Sequence, residues 1–137
     1  WSHKSLIDIE RHENFSKLER TLQAMQQLTA ARGLEVTVFI LPTKGEVYRW
    51  MLNQRVPMPE DQESSGFARA VLKACERAKL RCLDAKPYLY GEADRLFQAT
   101  GSLLWWRDDT HMGELGHEAM AALIARDVLH QEYFREM

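Results

Sequence analysis

A chain of 137 residues has room for one core and can remove about two thirds of its extended surface from water. Its 45% hydrophobic and 28% charged residues exclude a collagen-like fibre, a disordered tail and a disulfide-stapled miniprotein. Eighteen basic residues, scattered along the chain, stand against twenty acidic ones and give −2, which excludes the footprint of a dedicated nucleic-acid binder.

The longest apolar run, residues 36–42, is far shorter than a bilayer span, so no transmembrane segment is expected. The sequence opens at Trp1 with neither Met nor a charged-then-apolar leader, which suggests a mature product or a piece of something longer. Residues 1–13 read as an N-terminal extension. Cys75 and Cys82 lack CxxC or metal-ligand spacing and fall on a helix stripe and in a strand, so they read as small buried hydrophobes rather than a disulfide.

Over 14–32, Phe15, Leu18, Leu22, Met25 and Leu28 recur in steps of three and four, the spacing of one helical face. Asn14 suits the N-cap and Gly33 the left-handed position past the C-terminus. Residues 34–41 are β-branched, almost continuously apolar and stopped by Pro42, the pattern of a parallel strand covered on both faces. Val47, Trp50 and Met51 predict a short helix over 46–54. Residues 55–66 hold two prolines and three acids without periodicity, so they predict an exposed loop whose acidic stretch 60–63 is solvated.

Beyond a Ser64 or Ser65 cap, Phe67, Val71, Ala74, Cys75 and Ala78 predict a second amphipathic helix. Residues 80–84 read as a short strand. Pro87 suits the first turn of a helix running toward Gly101, and 103–106 reads as a third short strand. Leu115, Ala119, Met120, Leu123, Ile124 and Val128 predict a last helix over 114–133. This alternation predicts a single α/β domain over 1–137, with a short parallel sheet between helix layers. Two or three strands leave a fully covered central strand short of partners, since open sheets usually have four to six. Unpaired edges predict self-association or completion by further chain.

Ligands of such sheets bind outside the carboxyl ends of the strands, here after residue 41, at Asp84, and at Asp108-Asp109-Thr110-His111. A histidine serves as general base when a nearby carboxylate fixes its tautomer, and either Asp109 at i−2 or Asp108 at i−3 meets that need. The same cluster could instead cap the last helix. Lys44 could stabilise an oxyanion, pair with Asp108 or Asp109, or be a solvated structural lysine, with Tyr48 packing over its stem. Asp109, His111 and His117 offer a two-His, one-carboxylate metal alternative. Of Trp105 and Trp106, one should enter the core, and the pair could line a pocket.

Pro42-Thr43-Lys44 with Val47-Tyr48, and then Asp109-Thr110-His111 leading into Gly116-His117 and an alanine-rich helix, resemble the C-terminal half of an SGNH/GDSL-type hydrolase. The resemblance is closest to the bacterial alginate O-acetyltransferase-like subgroup. It implies a flavodoxin-like three-layer α/β/α fold and an acyl-ester hydrolase or O-acetyltransferase using Ser, His and Asp. His111 would be the base, with Asp109 or Asp108 orienting it, while Thr43, Lys44 and Trp106 would bind substrate. It implies a small-molecule or carbohydrate ester as substrate, an exported protein, and neither metal nor organic cofactor.

The sequence departs from the family in having no Gly-Asp-Ser block and none of the Gly and Gly-x-Asn-Asp blocks that furnish oxyanion donors. The nucleophile is therefore expected in a missing N-terminal part, and the isolated chain is expected to be inactive. A non-catalytic interaction or scaffold module retaining a remnant Asp-x-His motif is the alternative.

Overall fold

The computed structural model describes residues 4–130. The chain is α/β, as the alternation predicts, and sorts into two compact units, each assembled from two stretches of sequence. The first takes residues up to Leu41 and Ser64–Asp84; the second takes Pro42–Glu63 and the remainder from Ala85.

In the first unit, helix α1 (Leu6–Glu10) starts with a reciprocal cap. Ser5 Oγ accepts from the Asp8 N–H, and the Asp8 carboxylate accepts from the Ser5 N–H at 3.1 Å. Within the stretch expected as an extension, Ile9 is completely buried and joins the core. Helix α2 (Phe15–Ala31) follows the predicted periodicity, but its stripe is buried only toward its start: Phe15 and Leu22 are covered and Leu28 is exposed. Asn14 does not cap it, because its backbone is already helical and its amide oxygen accepts from Lys17 Nζ. The other end stops as expected. Gly33 takes φ +63°, and the N–H groups of Gly33 and Leu34 close onto Ala30 and Thr29 in a Schellman turn.

Strand β1 (Thr37–Ile40) pairs in parallel with β2 (Arg81–Asp84), Thr37 opposite Arg81 and Ile40 opposite Asp84. Only Ile40 of β1 is buried, and Leu34 and Leu41 are exposed, so the expected coverage on both faces does not occur. Among the described residues the sheet has these two strands alone, which leaves β1 without the second neighbour its composition calls for.

Helix α5 (Gly66–Ala78) is capped by Ser65, whose Oγ accepts from the Ala68 N–H. It packs on α1, α2 and β2, and it sends Ala70, Val71, Ala74 and Cys75 into a core with Ile9, Phe15, Leu22 and Ile40. Cys75 and Cys82 are bonded to each other, which corrects the expectation of two separate thiols. Lys79, at φ +57°, reverses the chain tightly after α5, so the inward face of the helix meets the adjacent strand with Cα atoms 6.1 Å apart. Closing so short a loop removes denatured-state entropy equivalent to about 2.5 kcal/mol. Replacing both cysteines with alanine is expected to lower the melting temperature by about 5–10 °C, and a reducing agent should destabilise the native chain but not the variant.

In the second unit, α3 (Lys44–Val47) and α4 (Arg49–Leu52) replace the continuous helix expected over 46–54, with the break at Tyr48. The expected exposed loop contains a 3-10 turn, Pro59–Gln62, in which Asp61 is buried rather than solvated. Arg55 grips its carboxylate with two bonds of 2.7 and 2.6 Å, the Met58 N–H donates a third, and this guanidinium holds the Asp61 pKa low. Helix α6 (Lys86–Thr100) has Pro87 in its first turn and stops at Gly101, φ +71°. Helix α7 (Glu114–Asp127) follows and stops at its C-cap Val128, shorter than expected, because the chain turns over 128–130 with His130 at φ +52°; the rest of the expected helix, 131–133, lies outside the described residues.

Residues 103–106 do not form a third strand of the sheet. Trp105 instead bridges Met112 in antiparallel fashion, so the segment folds back on itself as a loop. Trp105 is buried and Trp106 exposed, and Tyr48 and Trp105 meet edge to face at 6.1 Å.

Candidate active site

The loop from Leu104 to Gly113 is closed at its base by backbone hydrogen bonds. The Trp106 N–H donates to the His111 carbonyl at 3.1 Å, and the Gly113 N–H donates to the Leu104 carbonyl at 2.8 Å. Residues 107–110 form its tip, which carries both candidate carboxylates. Helix α7 begins at Gly113, which has no side chain to cap it, and neither Asp108 nor Asp109 caps it instead. The capping alternative therefore does not form.

Asp109 turns toward His111. Its Oδ1 lies 2.6 Å from His111 Nδ1 and also accepts the His111 backbone N–H at 3.0 Å. One oxygen thus fixes both the loop backbone and the ring. These two bonds, the ring contact first, hold the Asp109 carboxyl below its ordinary value of 3.8. It stays ionised through the neutral and mildly acidic range, and its contribution is lost only as the pH falls below that value.

An ionised carboxylate has no proton to give, so Nδ1 carries the hydrogen and Nε2 of the neutral ring is left as a proton acceptor. The imidazole is 81% exposed, so Nε2 is presented outward and not to a core. Asp108, exposed on the same tip, makes no contact with His111, so the geometry joins Asp109 alone to the ring. Among the described residues no three His, Cys, Asp or Glu side chains are placed to hold a metal ion, and the arrangement with His117 does not form.

Thr43 caps α3: its N–H and hydroxyl donate to Glu46 Oε2 at 2.7 and 2.9 Å, and the Glu46 N–H donates back to the Thr43 hydroxyl. This box fixes the start of the helix, and with it Lys44. Lys44 Nζ donates to the carbonyls of Trp106, Arg107 and Asp109 at 2.6, 2.6 and 3.0 Å, and it pairs with neither aspartate side chain. One turn on, the Tyr48 hydroxyl accepts the Leu104 N–H at 2.9 Å, so Tyr48 does more than cover the lysine stem. These contacts join residues 56 to 65 positions apart, which no local spacing could announce.

A cavity of about 560 Å³ adjoins this loop, lined by Lys44, Gly45, Tyr48, Met51, Leu52, Phe97 and Leu103, with Arg107 and Thr110 from the loop itself. Its mostly apolar wall is the kind of concavity that takes a small ligand, but His111 and Asp109 are not among the residues lining it; their neighbour Thr110 is. Trp106 is 61% exposed on the loop and is not among the residues lining it.

The model of the SGNH hydrolase-like domain of acetyltransferase AlgX matches residues 2–137. The chain belongs to this family. No curated protein and no solved structure matches it. For an AlgX-type SGNH-like domain, a hydrolase- or acetyltransferase-like kind of function follows from membership. No helix of the described residues is long and apolar enough to cross a membrane.

Proposed function

We propose that this domain supplies the base half of a serine acyl-transfer site, acting on a small-molecule or carbohydrate ester. His111 Nε2 takes the proton of a serine hydroxyl as its oxygen attacks the acyl carbon, and it then returns the proton to the departing alkoxide. Water or a sugar hydroxyl next attacks the acyl-enzyme, with the same nitrogen accepting its proton and returning it to the serine oxygen as the acyl–oxygen bond breaks. Asp109 holds the imidazole in the tautomer that this requires and steadies the cation. The single observation behind this reading is the 2.6 Å contact of Asp109 with Nδ1, on a ring whose other nitrogen faces outward.

The serine itself lies, on this reading, outside residues 1–137. Ser5 and Ser65 cap helices, Ser16 bonds the Glu13 carbonyl, and Ser64 bonds Asp84. No serine among the described residues is hydrogen-bonded to His111. The two-stranded sheet supports the same conclusion, since a pair of strands is a small part of an open sheet. The domain thus reads as the later portion of an SGNH-like fold. Its disulfide suits an oxidising compartment, and hence an exported protein.

The isolated 137-residue chain is expected to give no saturable hydrolysis of p-nitrophenyl acetate, because a base without its nucleophile retains little rate. Saturable turnover abolished by His111→Ala would contradict a nucleophile elsewhere. The function itself is tested by labelling the natural protein that contains these residues with a fluorophosphonate. A labelled serine outside them, with labelling suppressed in His111→Ala, is the expected result. No labelled serine would favour the non-catalytic module instead.

A further inference from the structure

We infer that Lys44 is a positioning residue, whose ammonium, together with the Tyr48 hydroxyl, ties the loop from Leu104 to Gly113 onto α3 and so holds Asp109 against His111. Its importance to a reaction rests on the acyl-transfer reading; the positioning itself does not.

An ammonium has three donors and no acceptor, and here each donor has a carbonyl within hydrogen-bond reach: Trp106 and Arg107 at 2.6 Å and Asp109 at 3.0 Å. Charge assistance makes such bonds shorter and stronger than those between neutral groups. The three carbonyls fall within residues 106–109, at the tip and just before it, and converge on the one ammonium. The Asp109 carbonyl belongs to the residue that holds the imidazole, so the lysine acts one covalent step from the pair. Four residues on, at the C-cap of α3, the Tyr48 hydroxyl takes the Leu104 N–H at the base of the loop. Tyr48 is buried and braced by Trp105 and Trp50, so this second hold is rigid. The loop is therefore held from both ends of α3, by Lys44 at its start and by Tyr48 at its C-cap, and that start is fixed by the Thr43–Glu46 box. With its donors so engaged, Lys44 is not available to an oxyanion, which separates this role from a direct contact with substrate.

The test removes the ammonium and then restores it. In Lys44→Met, carbon-detected titration should move the Asp109 carboxyl up toward 3.8, and the resonances of 106–111 should shift and broaden. Those of Val71 and Ala74 in α5 should stay in place. Both cysteines are in the disulfide, so Lys44→Cys supplies a single thiol, which 2-bromoethylamine converts to an ammonium of the same reach. That modification should return Asp109 to its wild-type titration.

In the natural protein, Lys44→Met should lower kcat about 10- to 100-fold with KM little changed, as expected from misplacing a base. An Asp109 titration and His111 ring spectrum in Lys44→Met identical to wild type would overturn the inference. So would failure of the alkylated Lys44→Cys chain to recover them, which also decides the case if Lys44→Met loses order. If the loop loosens and recovers as described while no serine is ever labelled, the positioning role stands and the acyl-transfer reading falls.

Discussion

Alanine in place of His111 is expected to lower kcat of the natural protein by about three orders of magnitude or more, because the attacking hydroxyl then has no base. Asp109→Asn should cost about 10⁴-fold, since an amide can present its NH₂ to Nδ1 and leave the proton on Nε2, the wrong tautomer for accepting one. Asp108→Asn is the discriminating control. Asp108 sits beside Asp109 on the same tip and makes no contact with the ring, so activity should stay within about twofold of wild type. Steady-state kinetics on an activated acetate ester would order the three variants. Equal losses in the two asparagine variants would mean that the charge of the tip, and not the contact of one carboxylate, supports the base.

Gly116→Ala is expected to be the most damaging single-methyl change near the site. A Cβ built there would lie 2.2 Å from Met112 Cγ and 2.3 Å from the Leu104 carbonyl oxygen. The side chain of Met112 can move, but the carbonyl is backbone and already accepts the Gly113 N–H at the base of the loop. Relief therefore requires α7 to back away from the loop, at a cost of about 3 kcal/mol. Gly113→Ala provides the comparison, because its added methyl would meet that carbonyl at an ordinary 3.5 Å and its φ of −85° suits any residue. Chemical denaturation should find Gly113→Ala within about 1 kcal/mol of wild type. Similar losses for both would show that crowding at position 116 is not the cause.

The elements legible in the sequence are those whose signals are local. The helix from Phe15, the stop at Gly33, a serine cap that falls on Ser65 of the two candidates, Pro87 at a helix start and Gly101 at a helix end each act within a turn or two of backbone, and each appears where expected. What was not legible depends on contacts between distant residues or on a reversal of the chain. Cys75 and Cys82 read as a helix residue and a strand residue; only the left-handed turn at Lys79 brings them together. Asp61 looked solvated because acids in proline-rich loops usually are, and nothing short of the fold announces the Arg55 guanidinium that allows it to be buried. Residues 103–106 have a strand composition, but Trp105 pairs with Met112 on its own loop.

The candidate site divides along the same line. Asp109 and His111, two residues apart, could be proposed as a pair from spacing alone. The choice between Asp108 and Asp109 needed the loop geometry, in which the oxygen that reaches the ring also takes the His111 N–H. Lys44 kept three readings open because its carbonyl partners lie more than sixty residues away. The lysine stands out in the sequence only as the end of a Pro-Thr-Lys run, a pattern that a helix start explains equally well.

The most direct test of the paired histidine and aspartate is nitrogen NMR of the His111 ring in the isolated chain, recorded where the imidazole is neutral. The proton should reside on Nδ1, with Nε2 showing the shift of an unprotonated nitrogen, and Asp109→Asn should abolish that preference while Asp108→Asn leaves it intact. A ring protonated on Nε2, or one indifferent to the loss of the Asp109 charge, would contradict the proposed base.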